Sequence, residues 1–219
     1  ASTAAHQVEG GQVNQWSVWE LAHAKHQANT AKERLGYLKN WDQIKAQAEN
    51  PENYVSGRGV DHFNRYEEDF DILKSLNLNS FRFTIEWSRL EPVKGEWDKD
   101  AFEHYKKYIK ALKDRQIESF LNIWHWTVPV WFAEEGGFLK RSNLKYFERM
   151  VAKVTEELLD GVHFVITLNE PNVYIGISYL EGQWPPQEKS LAKAVWVYNN
   201  LKIAHERAYK VIEAKRPNL

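Results

Sequence analysis

Cysteine is absent from the 219 residues, which excludes a disulfide framework, a thiolate metal site and a cysteine nucleophile. An excess of one charge is missing as well. The 29 Lys and Arg against 30 Asp and Glu leave a net charge of -1, too small a field to gather nucleic acid or an anionic membrane surface. No apolar run approaches the roughly 18 residues of a bilayer span, and the opening Ala1-Ser2-Thr3-Ala4-Ala5-His6 has neither the basic nor the apolar region of a secretion signal. A cytoplasmic protein with no nucleic-acid and no membrane partner is therefore expected. Tandem repeats, low-complexity tracts and Pro/Gly/Ser-rich linkers are lacking too, so the chain reads as one structural unit.

Aromatic surface is what the chain has in quantity. Ten Trp, ten Tyr and ten Phe make up 14% of a chain that is otherwise balanced for a globular domain, at 43% hydrophobic and 27% charged. Such rings serve cores and ligand surfaces alike, and most belong to the core. Only position assigns one to a site.

Position is read from periodicity. Ser80 to Trp87 alternates polar and apolar with period two, and Ile117 to Trp126 and Val162 to Leu168 are rich in β-branched and aromatic residues; these are the expected strands. Helical spacing runs over Tyr66 to Leu76, Lys99 to Lys113, Leu144 to Leu159 and Ser190 to Ala214. Strand and helix alternate, which implies right-handed parallel βαβ units and an α/β fold. Units of roughly 37 to 45 residues are too long for eight to fit here, so the expectation is a (β/α)8 TIM barrel of which about the first four βα units are present. Residues 1–219 then form the N-terminal half of a single catalytic domain, with a long loop insertion at about 12–54.

The residues with chemical meaning stand where these strands run out. Asn169-Glu170-Pro171 puts a carboxylate at the end of an apolar strand, where proline stops the ladder, and the carboxyl ends of barrel strands are where catalysis occurs. As a bare tripeptide it could equally be a surface turn. His125 and Trp126 close the preceding strand. Arg82 lies on the inward phase of its strand with Thr84 and Glu86, and a structural ion pair with Glu86 competes with a role in a site.

Taken in order, several motifs resemble glycoside hydrolase family 1: Ala4-Ala5-His6-Gln7-Val8-Glu9-Gly10, Arg65-Tyr66-x-Glu68-Asp69, Arg82 to Arg89, Trp124-His125-Trp126-x-x-Pro129, Gly136-Gly137-Phe138, Asn169-Glu170-Pro171 and Tyr179-x-x-Gly182-x-x-Pro185-Pro186. Trp16-Ser17-Val18-Trp19-Glu20 and its insertion resemble the archaeal-type branch. The resemblance implies a retaining β-glycosidase, with β-glucosides the foremost substrates and a small oligosaccharide or other β-glycoside as ligand. Glu170 would be the acid/base. Asn169, His125, Trp126 and Gln7 would hydrogen-bond the sugar, and Arg82 would hold the nucleophile. Thr127 departs from the Asp that many members carry after the Trp.

The family's nucleophile, a Glu in a Glu-Asn-Gly motif, is not found between Pro186 and Leu219, and an apolar first strand ending in Trp-Gly is expected before Ala1. The resemblance therefore makes the C-terminal half of the barrel, on the same molecule or a second chain, a required partner and makes this chain alone inactive. Two other readings stay open: an inactive half-barrel that binds sugar or self-associates, and a β-glucanase of a related clan. No metal and no organic cofactor is implied, since two carboxylates and a water suffice.

Overall fold

A computed structural model describes residues 1–217. The chain begins alongside the sheet. Ala1 donates its amino group to Ser80 O at 3.0 Å, Arg82 N donates to Ala1 O at 2.9 Å and Thr3 N to Arg82 O at 3.0 Å. The expected first strand therefore does not lie wholly before Ala1, because residues 1–3 pair in parallel with the next strand. A short helix α1 (Ala5–Val8) follows.

The insertion is helical: α2 (Gln15–Asn29), α3 (Ala31–Leu35), α4 (Trp41–Ala48) and a 3-10 turn at Pro51–Tyr54. Its start is set locally, since Asn14 Oδ1 accepts from Ser17 N while Ser17 Oγ accepts from Asn14 N, each at 2.9 Å. This reciprocal cap satisfies two of the donors that a helix start leaves free.

The barrel units follow. Helix α5 (His62–Ser75) leads to strand β1 (Ser80–Thr84), the one-turn α6 (Trp87–Leu90) and α7 (Lys99–Asp114), whose start is capped by Asp98 accepting from Ala101 N at 3.0 Å. Then come β2 (Glu118–Asn122), α8 (Val130–Glu134), α9 (Leu144–Glu157), β3 (Phe164–Ile166), α10 (Pro171–Ile175) and the long α11 (Leu191–Lys215). The strands pair in parallel in the order β1-β2-β3. Each is shorter than its periodic segment: Ile85 and Ile123 still donate backbone N–H to Asn122 O at 3.3 Å and Ile166 O at 2.8 Å, after which Glu86, Trp124 to Trp126, and Thr167 with Leu168 turn toward the connections.

The two sheet faces differ. Phe81, Phe83 and Leu121 are buried against Phe70 of α5 and Tyr105, Tyr108 and Leu112 of α7. A buried side chain of this size contributes on the order of 1.5–3 kcal/mol. Phe83→Ala would cost about 3–5 kcal/mol, because close-packed neighbours cannot collapse into the space. On the inner face, register aligns Arg82 with Phe120 and Phe164, and Thr84 with Asn122 and Ile166. Phe120 and Phe164 stack at 4.3 Å, yet Phe164 remains 48% exposed on what is a partial barrel's interior. Among the described residues no helix is long and apolar enough to cross a membrane.

Candidate active site

Alternation along a strand normally sends neighbours to opposite faces. Asn169 and Glu170 escape that rule because Glu170 takes φ 41° and ψ 56°, the left-handed region, and starts α10 with Pro171 at its first position. Trp126, at the end of the β2 connection, has φ 74°. Left-handed geometry is costly for bulky L-residues and persists only where surrounding contacts enforce it.

Those contacts are visible. Asn169 N donates to Trp124 O at 2.9 Å, and Trp126 Nε1 donates to Asn169 O at 3.1 Å. The Asn169 side chain accepts from Arg82 Nη2, and its Nδ2 lies 3.2 Å from His125 Nε2 and 3.5 Å from Glu170 Oε2. Asn169 is buried and Glu170 exposed. Five of the six expected site residues therefore form one linked cluster, four of them just past the carboxyl ends of β2 and β3 and Arg82 reaching it from the middle of β1.

One alternative does not hold and one detail differs from expectation. The competing ion pair of Arg82 with Glu86 does not form; Arg82 reaches Asn169 instead, and its Nε is buried with no acceptor among the described residues. The Trp126 N–H, expected to donate to a sugar, is engaged by the Asn169 carbonyl, so this residue presents its ring. That ring stacks on Trp16 at 6.4 Å and meets Trp184 at 4.7 Å.

Glu86 is buried under its own set of donors: Ser88 Oγ at 2.8 Å and Thr127 Oγ1 at 2.9 Å. An Asp at 127 would set two buried carboxylates against each other, so the hydroxyl here and the carboxylate at 86 belong together. Burial, and then the Arg82 guanidinium, lower the His125 imidazole to about 4, so the ring is neutral at physiological pH and has one donor and one acceptor.

Gln7 is exposed on α1 and has no side-chain hydrogen bond to this cluster among the described residues. The turn bearing it is nonetheless held firmly. The neighbouring His6 is buried, with Glu20 Oε1 2.9 Å and Asn14 Nδ2 3.2 Å from its ring nitrogens, and Ser56 donates to Glu20 through N and Oγ at 2.8 Å each. On the other side, Arg89 Nε donates to Glu9 at 2.9 Å and Tyr105 OH donates to the same carboxylate at 2.9 Å. Sequence reasoning missed both networks. It also missed Asn122, on the inward phase of β2, whose Nδ2 donates to Thr84 Oγ1 at 3.1 Å and lies 3.5 Å from His125 Nδ1. Strand alternation was the signal that could have found Asn122.

Parallel strands joined by helices, with a carboxylate, an amide, an imidazole and a guanidinium gathered toward their carboxyl ends, are the arrangement of part of a (β/α)-barrel, the face on which barrel enzymes carry their catalytic groups. The chain belongs to glycosyl hydrolase family 1, whose model matches residues 1–218. It is 30% identical to a β-glucosidase from Agrobacterium sp. over 162 residues, 71% of this chain and 35% of that protein. With β-glucosidase A of Thermotoga maritima it shares 29% over 211 residues, 96% of this chain and 43% of the relative. The solved β-glycosidase from Pyrococcus horikoshii superposes with a TM-score of 0.81 at 36% identity, covering 98% of this chain and 44% of that one. The Thermotoga maritima β-glucosidase in complex with castanospermine gives 0.77 at 27% identity, covering 100% and 46%. The chain thus spans less than half the length of each of these relatives.

Proposed function

We propose that this chain carries the acid/base half of a retaining β-glycosidase that hydrolyses terminal β-D-glycosides, β-glucosides foremost. The observation that carries the reading is the convergence of Glu170, Asn169, His125 and Arg82 toward the strand ends of a family 1 chain. The names of the relatives and the castanospermine complex of one of them support the substrate class.

In the first step Glu170 gives its proton to the glycosidic oxygen as the bond to C1 breaks, and a second carboxylate forms the glycosyl ester. In the next, Glu170 takes a proton from water, which attacks C1 and releases that carboxylate. The second carboxylate comes from a segment outside these 219 residues, in the C-terminal half of the barrel. The buried, unengaged Nε of Arg82 supports a place for it beside the guanidinium. Retention requires it about 5 Å from Glu170. Asn169, oriented by Arg82, takes the sugar 2-hydroxyl, neutral His125 and Gln7 take other hydroxyls, and Trp126 supplies a ring wall. No metal is needed.

The test is Glu170→Gln in the full-length enzyme. Hydrolysis of an alkyl β-glucoside is expected to fall by about 10²–10⁴-fold, whereas an activated aryl β-glucoside, whose leaving group needs no proton, still gives a burst of aryl alcohol. Equal losses on both substrates exclude the acid role.

A further inference from the structure

Gln7 rides on a single turn of helix. With four residues α1 is too short to hold itself in water, so its position is set by what surrounds it. Residues 1–3 pair in parallel with β1, and the turn therefore leaves the carboxyl end of a strand, on the face that carries Glu170. Along it His6 is buried and Gln7 is exposed.

The buried ring has a fixed tautomer. Gln12 Nε2 donates to His6 O at 2.8 Å and Asn14 Oδ1 accepts from Ser17 N at 2.9 Å, so each amide is oriented by a second bond. Both turn their N–H groups to His6 Nδ1, at 3.3 and 3.2 Å. Nδ1 is therefore the acceptor and Nε2 carries the hydrogen. Nε2 donates to Glu20 Oε1 at 2.9 Å, and Ser56 N and Oγ donate to the same carboxylate at 2.8 Å each. Burial works to raise the Glu20 carboxyl, but these donors outweigh it and hold the group below its ordinary range.

Glu20 thus ties three segments together: the α1 turn through His6, the first helix of the insertion, and the loop at 56–59. That loop also runs against the backbone of Gln7 itself, since a Cβ on Gly59 would stand 3.0 Å from Val8 O and 3.2 Å from Gln7 O. The clamp lies close to the catalytic groups. The His6 ring meets Trp16 edge-on at 5.9 Å, Trp16 stacks on Trp126 at 6.4 Å, and Trp126 donates to the Asn169 carbonyl.

We propose that His6 and Glu20 are positioning residues for Gln7, and that the insertion, through Glu20, sets how firmly the site holds the sugar. The proposal rests on the β-glycosidase reading above, in which Gln7 takes a sugar hydroxyl, and its test separates the two. In the full-length enzyme, kcat/KM for phenyl β-D-glucopyranoside is measured for the wild type, Glu20→Gln, His6→Phe, Gln7→Ala and the double variants Glu20→Gln/Gln7→Ala and His6→Phe/Gln7→Ala. Each is assayed at a temperature where circular dichroism shows it folded.

Glu20→Gln sets an amide N–H against the donors of Ser56 or His6, and His6→Phe keeps a ring beside Trp16 but loses both nitrogens. Each is expected to lower kcat/KM by about tenfold in the wild-type background and by less than about twofold once Gln7 is gone, because the side chain that they position is then missing. A merely structural role gives the same loss in both backgrounds, and that result overturns the proposal, as do single variants with wild-type kinetics. Where Glu20→Gln does not fold, His6→Phe decides. Gln7→Ala with wild-type kinetics overturns the place of Gln7 in the site and the proposal with it. A wild type that hydrolyses no β-glucoside overturns the parent reading instead.

Discussion

The indole N–H of Trp126 donates to the backbone carbonyl of Asn169 over 3.1 Å, tying the end of the β2 connection to the residue that precedes Glu170. Left-handed backbone stands on both sides of this bond, at Trp126 and at Glu170. Trp126→Phe keeps the ring and loses the donor. The full-length variant is expected to lose about tenfold in kcat/KM, equivalent to about 1.4 kcal/mol, and about 1 kcal/mol of stability. Kinetics identical to the wild type would show that the bond does not hold Glu170 in place.

His125 should titrate well below an ordinary histidine. Burial is the larger cause of its fall to about 4 and Arg82 the smaller. For a histidine with a depressed folded value, the contribution to stability is fully present above pH 6.5 and is lost as pH falls toward 4. Arg82→Met should move the imidazole midpoint upward but leave it below 6.5, because burial remains. A histidine NMR titration checks both, and a wild-type midpoint at or above 6.5 contradicts the packing described.

Glu9 offers the opposite sign. Burial pushes its carboxyl up to about 7 from 4.5; Arg89 opposes the rise and Glu86 adds to it. Between these values the folded chain keeps a proton that the unfolded chain releases, so stability falls as pH rises through the window and is level above it. Glu9→Gln removes the titration. Its stability relative to the wild type is expected to rise from pH 4.5 to 7 in urea unfolding of the full-length protein, and a difference that does not change with pH refutes the shift.

Residues 1–219 expressed alone are expected to give no β-glycosidase turnover, since one carboxylate can protonate a leaving group but cannot also form the glycosyl ester. Phe164, 48% exposed beside Phe120, should also make that piece bind a hydrophobic dye. Turnover by a chain verified at 219 residues by mass spectrometry would sink the two-carboxylate account.

The strands around 80, 118 and 164 and helices α7, α9 and α11 were legible in the sequence because period two and period 3.6 are local signals that one buried face imposes. Their ends were less legible. Trp87, Trp124 and Leu168 continue the apolar pattern beyond the strands, and nothing local says that a strand's neighbour has run out.

Of the site, the sequence by itself determined which residue types stand at the strand ends: Asn169 and Glu170 before Pro171, His125 and Trp126 closing the segment before, Arg82 on the inward phase. Only the tertiary structure decided what each is bonded to. Arg82 pairs with Asn169, 87 residues away, rather than with Glu86 four residues on, and Arg89 pairs with Glu9 across 80. The physical reason is that a strand's phase fixes the face from which a side chain leaves the backbone, while the partner it meets depends on which distant strands the parallel register brings beside it.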